Sequence, residues 1–391
     1  MSFHYRLLLV AEDDPYPVYK WMRDHDPAHY SEPEQVWVLT RFADVSAAFR
    51  DWKTWSSQRR GNLLNDIPER IGKTLGTTDP PAHRFARGLV DKAFTRGTVE
   101  GLMSRLSSLA KQLAQEVRAR GTFDLVSVLS APYNAAILGA MFGVPDEDFL
   151  RIRHWLDDFF LREQPREGEE PRQVIAMRHL REYLDELAQR RMVSPVGDLM
   201  TAMLVAEEDG RRLSQEQVVV TTMTFLTAGF ESTNNLFTNL AHALALQPQV
   251  FADLKQDPSL VPAFVEEGMR WDAAAQGFVR SPMRDAEVHG KVIPEGAQVL
   301  LHIGSANRDE RQFEDADRFD IRRSKQAHLG MGQGIHYCVG APMGRAMAQR
   351  IFEELLVVAD CWEVDLASAE RVRTPNFRGF SKLPMRISTS D

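Results

Sequence analysis

Apolar residues recur at helical spacing through most of the chain, and the pattern changes period near residue 270. From Phe85 to about Gln256 nearly every segment repeats its apolar positions every three to four residues, which predicts successive amphipathic helices. Thr98 to Arg120 puts Leu102, Leu106, Leu109, Leu113 and Val117 on one stripe, and Gly121 stops it. Ser214-Gln-Glu-Gln217 reads as a capping box that opens a long apolar helix running to about Gln247. At 1.5 Å per residue such a helix is about 50 Å long and crosses a whole domain. Before this region, Gln35 to Leu39 has strand character and Phe42 to Asp51 predicts a short helix. After Arg270 the apolar repeat shortens. Phe278 to Arg284, Val288 to Ile293 and Gln298 to His302 predict short strands, with a turn at Pro294-Glu-Gly296. Ala306 to Gln333 is polar and irregular, Ala341 to Asp360 predicts a last helix, and short strands follow. Arg162 to Pro171 is a polar surface loop. The expected fold is mainly α with small β-sheets at one side, a single domain over 1–391. Its β-rich parts lie near 30–60, 278–302 and 370–391, its helical parts near 80–277 and 341–360. No βαβ alternation and no glycine-rich strand-to-helix turn occurs, so no dinucleotide-binding domain is expected.

Composition narrows the class. The 391 residues carry 47 basic and 55 acidic side chains, a net charge of −8, which argues against nucleic acid as a partner of the whole molecule. Two cysteines, Cys338 and Cys361, make no disulfide framework and fit a reducing compartment. The apolar run Leu7 to Val10 meets Glu12, Asp13 and Asp14 at once, too short for a signal core or a membrane span. A cytoplasmic, monomeric protein without membrane attachment is expected.

The chemistry concentrates at Cys338. It sits in His328-Leu-Gly-Met-Gly-Gln-Gly-Ile-His-Tyr-Cys-Val-Gly340, ringed by Gly330, Gly332, Gly334 and Gly340. Dense glycines let a backbone turn tightly and approach a flat object, and a thiolate near a helix N-terminus can ligate a metal. A buried thiol in a plain glycine loop fits the same residues. Three further segments carry signals that are weak singly. Glu267-Gly-Met-Arg270 puts an acid and a base on one helical face. Leu226-Thr-Ala-Gly-Phe-Glu-Ser-Thr233 places Ala228-Gly229 inside the long helix, either a gap for a large group or a helix-packing notch. An acid and an alcohol able to relay protons follow it. Asp79-Pro-Pro-Ala-His-Arg-Phe-Ala-Arg87 leads into a helix whose His83 and Arg87 can clamp a carboxylate or simply face solvent.

In order and spacing these segments resemble the cytochrome P450 family, specifically its soluble bacterial members. Arg280, Ala306-Asn-Arg-Asp309 and Asp317-Arg-Phe-Asp320 extend the match over nearly the whole chain. The resemblance implies a triangular-prism, mostly helical fold with haem b (iron protoporphyrin IX) between the long helix and the Cys loop. Cys338 is then the proximal thiolate and metal ligand, with Gly340 beside it. His83, Arg87, Arg280 and His336 match the partners of the haem propionates, and Ala228 and Gly229 the close approach to the haem. Glu267, Arg270 and Arg318 match a structural triad behind the loop. Glu231 and Ser232 match the acid–alcohol pair that serves proton delivery to dioxygen.

Two positions depart from the family pattern. Met331 stands where an aromatic residue usually opens the loop, which alters the surroundings of the sulfur. Ser232 stands where threonine is usual and lacks the methyl group that stiffens the rotamer. The regions that line the family's pocket hold Leu63, Leu64, Ile67, Phe225, Phe230, Ala275, Gln276, Phe278, Val279, Phe377 and Phe380, apolar apart from Gln276. A lipophilic substrate such as a terpenoid, steroid or polyketide is expected. Electrons are expected from a ferredoxin or flavodoxin with an NAD(P)H-dependent reductase. Arg84, Arg87, Lys92, Arg96, Arg345 and Arg350 are candidates for a basic patch that steers the donor. The leading reading is a monooxygenase; a peroxide-driven oxygenase and a non-catalytic binding module on the same fold are the alternatives.

Overall fold

The long helix predicted from the capping box organises the molecule. In the computed structural model, which describes residues 6–64, 70–94, 96–160, 169–324 and 327–388, it spans Gln215–Leu246. The Gln217 amide donates to Ser214 Oγ and the Ser214 amide donates to Gln217 Oε1, satisfying two N–H groups that a helix start leaves open. Pro248 follows the end and begins the next helix, Pro248–Gln256. This central helix is buried over most of its second half, polar residues included: Asn234, Asn235, Thr238, Asn239 and His242 lie inside. Such residues need partners in the interior. Asn239 Nδ2 donates to the carbonyls of Asp272 and Arg378, which fastens the C-terminal turn to the helix.

Around it pack Ala131–Met141, Phe149–Phe160, Arg172–Val193, Val261–Trp271 and the last helix, Ala341–Val358, and Arg96–Arg120 packs on the last helix and on Ala131–Met141. Leu106, Leu113 and Val117 of the predicted stripe are buried, Leu102 and Leu109 partly so, and Gly121 ends the helix at φ +67°. One apolar cluster joins these helices, from Leu89 to Ile387.

The sheets pack in different places, some on apolar clusters of their own and some on the main cluster, which holds Phe123, Trp362, Met385 and Ile387. The largest has five strands in the order Ala28–Ser31, Val36–Leu39, Val299–His302, Gly277–Pro282 and Trp55–Ser56. Val299–His302 runs parallel to Val36–Leu39 and antiparallel to Gly277–Pro282, with Val299 opposite Arg280. A second sheet joins Cys361–Val364, Pro384–Ser388 and Thr122–Asp124. The strand expected over Val288 to Ile293 is instead the turn and second arm of a hairpin, Ala286–Val288 with Lys291–Ile293. His289 and Gly290 take positive φ and turn the chain. The polar loop expected over Arg162 to Pro171 lies outside the described residues apart from 169–171. Among the described residues no helix is long and apolar enough to cross a membrane.

Candidate active site

Cys338 lies between a 3-10 turn, Gly334–His336, and the last helix, which starts at Ala341. The loop folds back on itself through a bond from the Cys338 amide to the Met331 carbonyl (3.0 Å). Gly332 and Gly334 have φ of +69° and +71°, conformations open to glycine at little cost. Gly334 also lies against the Phe49 carbonyl, where a Cβ would come within 2.3 Å. Cys338 as a residue keeps accessible surface although protein crowds its thiol. Burial pushes its pKa up. A hydrogen bond from the Gly340 backbone, then the charges of Arg87 and Arg345, and last a bond from the Ala341 backbone pull the other way. Gly340 is in contact range of the sulfur, with 3.9 Å from Sγ to the place of a Cβ. Met331 reaches the last helix at Gly344, filling space under the loop as its flexible side chain allows.

Four expected partners of an anionic group gather beside this loop. His83 and His336 meet edge to face with centroids 4.4 Å apart. His336 Nε2 is 3.1 Å from Ser57 Oγ, and Arg87 Nη1 donates to the Tyr337 carbonyl at 2.8 Å. Arg280 is buried, and its one side-chain hydrogen bond among the described residues goes to its neighbour's carbonyl, that of Val279. Burial pushes Arg280 down to about 10, opposed by Asp79. It pushes His336 down to about 2, assisted by the charges of Arg280, His83 and Arg87. His83 is lowered chiefly by burial and by Arg87. Positive and potentially positive groups thus oppose one another here. The sequence reading gave no role to Ser57 or to the Asp79 carboxylate, which accepts from Ser56 Oγ and the Ser57 amide. Asp79 lies within the quoted Asp-Pro-Pro motif; Ser57 had no signal of its own.

On the central helix, Ala228 is exposed although Leu226 and Phe230 on either side are buried. Ser232, half-buried, donates from Oγ to the Ala228 carbonyl at 2.6 Å. Glu231 is buried and accepts from Asn235 Nδ2 at 3.2 Å. Gly229 lies against Leu138, where a Cβ would come within 3.1–3.3 Å, so helix packing also favours a small residue at this position.

Behind the loop, Arg270 makes two bonds to Glu267 (2.7 and 2.8 Å) and donates to the carbonyls of Asn307, Ala316 and Arg318. The second guanidinium at Glu267 belongs to Arg323, with Nε 3.3 Å from Oε1. Arg318 contributes its carbonyl while its residue is exposed, because the irregular chain after Arg270 turns its side chain outward.

The expected pocket residues separate into groups. Leu64 and Val279 lie in the sheet's own core with Tyr19, Val36 and Val38, and Phe278 packs on the opposite cluster. Gln276 is buried, donates to the Ala273 carbonyl and lies against Gly304, while its Oε1 has no hydrogen-bond partner among the described residues. Phe230 belongs to the main core, and Phe380 packs between His242 and Arg371. Leu63, Phe225, Ala275 and Phe377 stay partly exposed; Phe225 stacks on Phe142, and Ala275 pairs with Phe377. Ile67 lies outside the described residues.

The expected basic patch is largely neutralised. Arg87 pairs with Asp91, Lys92 with Glu208, Arg345 with Glu266 and Arg350 with Glu353. Arg84 remains exposed, and the side chain of Arg96 lies outside the described set.

Comparison with known proteins gives this arrangement its context. The cytochrome P450 family model matches residues 24–358. The cyclomarin C epoxidase CymV of Salinispora arenicola is 34% identical over 84% of this chain and 85% of its own. The cytochrome P450 monooxygenase PikC of Streptomyces venezuelae is 32% identical over 95% and 91%. The structure of cytochrome P450 CYP109Q5 from Chondromyces apiculatus superposes with a TM-score of 0.89 at 30% identity, covering 98% of this chain and 97% of the other. That of CYP109E1 from Bacillus megaterium in complex with corticosterone gives 0.88 at 28%, covering 96% and 98%. A thiol at a helix start, a gathered cationic cluster and a family match over most of the chain agree: the protein belongs to the cytochrome P450 family of haem-thiolate monooxygenases.

Proposed function

We propose that this chain binds haem b through Cys338 and inserts one oxygen atom of O2 into a lipophilic small molecule, mostly by hydroxylation. The other atom leaves as water, with two electrons and two protons consumed per turnover. The observation that carries this reading is the donor set around Cys338. One thiol receives backbone hydrogen bonds at a helix start, beside His83, Arg87, Arg280 and His336, which crowd together with few acids between them. A flat group with a metal at its centre and carboxylates at its edge suits that set, since the carboxylates relieve the mutual repulsion of the cations. When bound, the haem supplies the activation of dioxygen, tuned by the thiolate.

The chain's own residues position and protonate. Arg280 and His336, partly stripped of water, hold the carboxylates. Exposed Ala228 provides a shallow place on the central helix, and Ser232 keeps its hydroxyl proton at Oγ in a hydrogen bond donated to the Ala228 carbonyl. Glu231, one residue before, moves protons inward from solvent. Serine turns more freely than threonine at this place. Ser232→Thr is therefore expected to raise the ratio of product formed to NADH consumed, measured with a reconstituted electron donor; an unchanged or lower ratio would count against this role.

Substrate class rests on Leu63, Phe225, Ala275 and Phe377, apolar and partly exposed, and on relatives whose names mention cyclomarin C and corticosterone. We assign the substrate to the terpenoid, steroid or polyketide-like lipophilic class on these grounds. We assign the electrons to a ferredoxin or flavodoxin with an NAD(P)H-dependent reductase. The test is a spectrum of the dithionite-reduced protein under carbon monoxide, followed by a lipophilic library screened for a Soret shift. A band at the long-wavelength position of thiolate ligation supports the reading. An imidazole-like band, or none, overturns it. Turnover with hydrogen peroxide alone, and none with the donor system, replaces it with the peroxide-driven alternative.

A further inference from the structure

The carboxylate of Glu266, met above only as the partner of Arg345, is reached from both sides of the Cys338 loop. Glu266 lies on the helix Val261–Trp271, one residue before the buried Glu267. At the start of the loop, His328 Nε2 stands 3.0 Å from Glu266 Oε2. His328 Nδ1 meanwhile accepts the Gly330 amide at 3.0 Å. A nitrogen that accepts carries no proton, so the ring proton sits on Nε2 and is donated to Glu266. Past the cysteine, Arg345 of the last helix donates to the same carboxylate from Nε and, at 3.0 Å, from Nη2. Its Nη1 donates to the Tyr337 hydroxyl at 3.1 Å. Tyr337 is the residue directly before Cys338.

The loop start has two other anchors, one on the same helix and one on the segment beyond it. A Cβ at Gly330 would come within 2.5 Å of the Met269 carbonyl, and the Leu329 amide donates to Asn307 Oδ1. The far half lacks such backbone support from that helix among the contacts described, and Arg345 is its link. The arginine has a second consequence. It stands near enough to Cys338 for its charge to favour the thiolate, so whatever neutralises Arg345 weakens that influence. Glu266 is held well into its charged form, down to about 2: burial opposes this, and His328 and Arg345 overcome it.

We infer that Glu266 is a positioning residue for the haem-thiolate centre: it ties His328 to Arg345 across the Cys338 loop and offsets the charge Arg345 directs at the sulfur. The inference rests on the proposed ligation by Cys338. Positive charge near a thiolate-ligated iron favours the reduced state, because reduction adds an electron. Loss of the Glu266 charge therefore raises the reduction potential, and loss of the Arg345 charge lowers it.

The test uses the haem-loaded full chain and reads the potential by redox titration, with the carbon monoxide spectrum recorded for each variant. A wild-type spectrum without the thiolate band removes the Cys338 assignment itself, separately from this inference. With that band present, Glu266→Gln is expected to shift the potential upward and Arg345→Gln downward. The double variant should return close to wild type, which a purely structural clamp would not produce. If Glu266→Gln fails to retain haem, Arg345→Gln alone still decides, because a potential equal to or above wild type overturns the proposal. So does a Glu266→Gln potential equal to wild type, or a double variant further from wild type than either single one.

Discussion

A Cys338→Ser variant is expected to lose the thiolate-type carbon monoxide band and to lose oxygenase turnover by more than the roughly 100-fold typical of losing a supporting residue around a metal. Serine matches the size of cysteine, so the loop bond from residue 338 to the Met331 carbonyl and the turn at Gly334–His336 should survive. What changes is the donor atom. An alcohol stays protonated where a thiol beside the Gly340 and Ala341 amides can ionise, and it brings little electron density to the iron. Circular dichroism unchanged from wild type would place the loss in the chemistry. A variant that keeps the thiolate band would show that another residue ligates the metal.

Arg270→Ala is expected to destabilise the protein by about 3–5 kcal/mol, the usual cost of leaving one member of a buried ion pair without its partner. Arg270 and Glu267 are both nearly inaccessible, with side-chain exposures of 2% and 5%. Removing the arginine leaves Glu267 with the more distant Arg323 and deprives the Asn307, Ala316 and Arg318 carbonyls of a donor. Those carbonyls belong to the irregular segment that leads into the Cys loop, so haem retention should fall together with stability. Urea denaturation of the haem-loaded variant measures the first effect and haem transfer to apomyoglobin the second. A loss below about 1 kcal/mol, the scale of a single ordinary hydrogen bond, would contradict the role assigned to the pair.

Features that depend on near neighbours in sequence were legible in the chain. The Ser214–Gln217 capping box, the Glu267–Arg270 pair three residues apart and the Gly121 stop all appear where the pattern put them. The gathering of His83, Arg87, Arg280 and His336 was legible for another reason. Each lies in a motif whose order along the chain matches a known family. Features that depend on which way a side chain turns were not. Gln276 and Val279 lie in or next to one short strand, yet one presses on Gly304 and the other enters the core beside Tyr19. Arg318 and Arg323 are five residues apart in an irregular segment, where no period tells which guanidinium reaches Glu267. The ion pairs of the surface cations were not legible for a similar reason. Lys92 and Arg345 find Glu208 and Glu266 across more than seventy residues, and no local rule announces such pairs.

By itself the sequence determined that this is a mainly helical cytochrome P450 with Cys338 at the foot of its last helix, because helical period, caps and motif spacing are local properties of a chain. Only the tertiary structure decided that Leu138 packs against Gly229, that most of the surface cations near the loop are paired, and that Glu266 joins both halves of the loop. Those facts depend on which surfaces meet once helices and sheets have packed, and packing is set by all the residues at once.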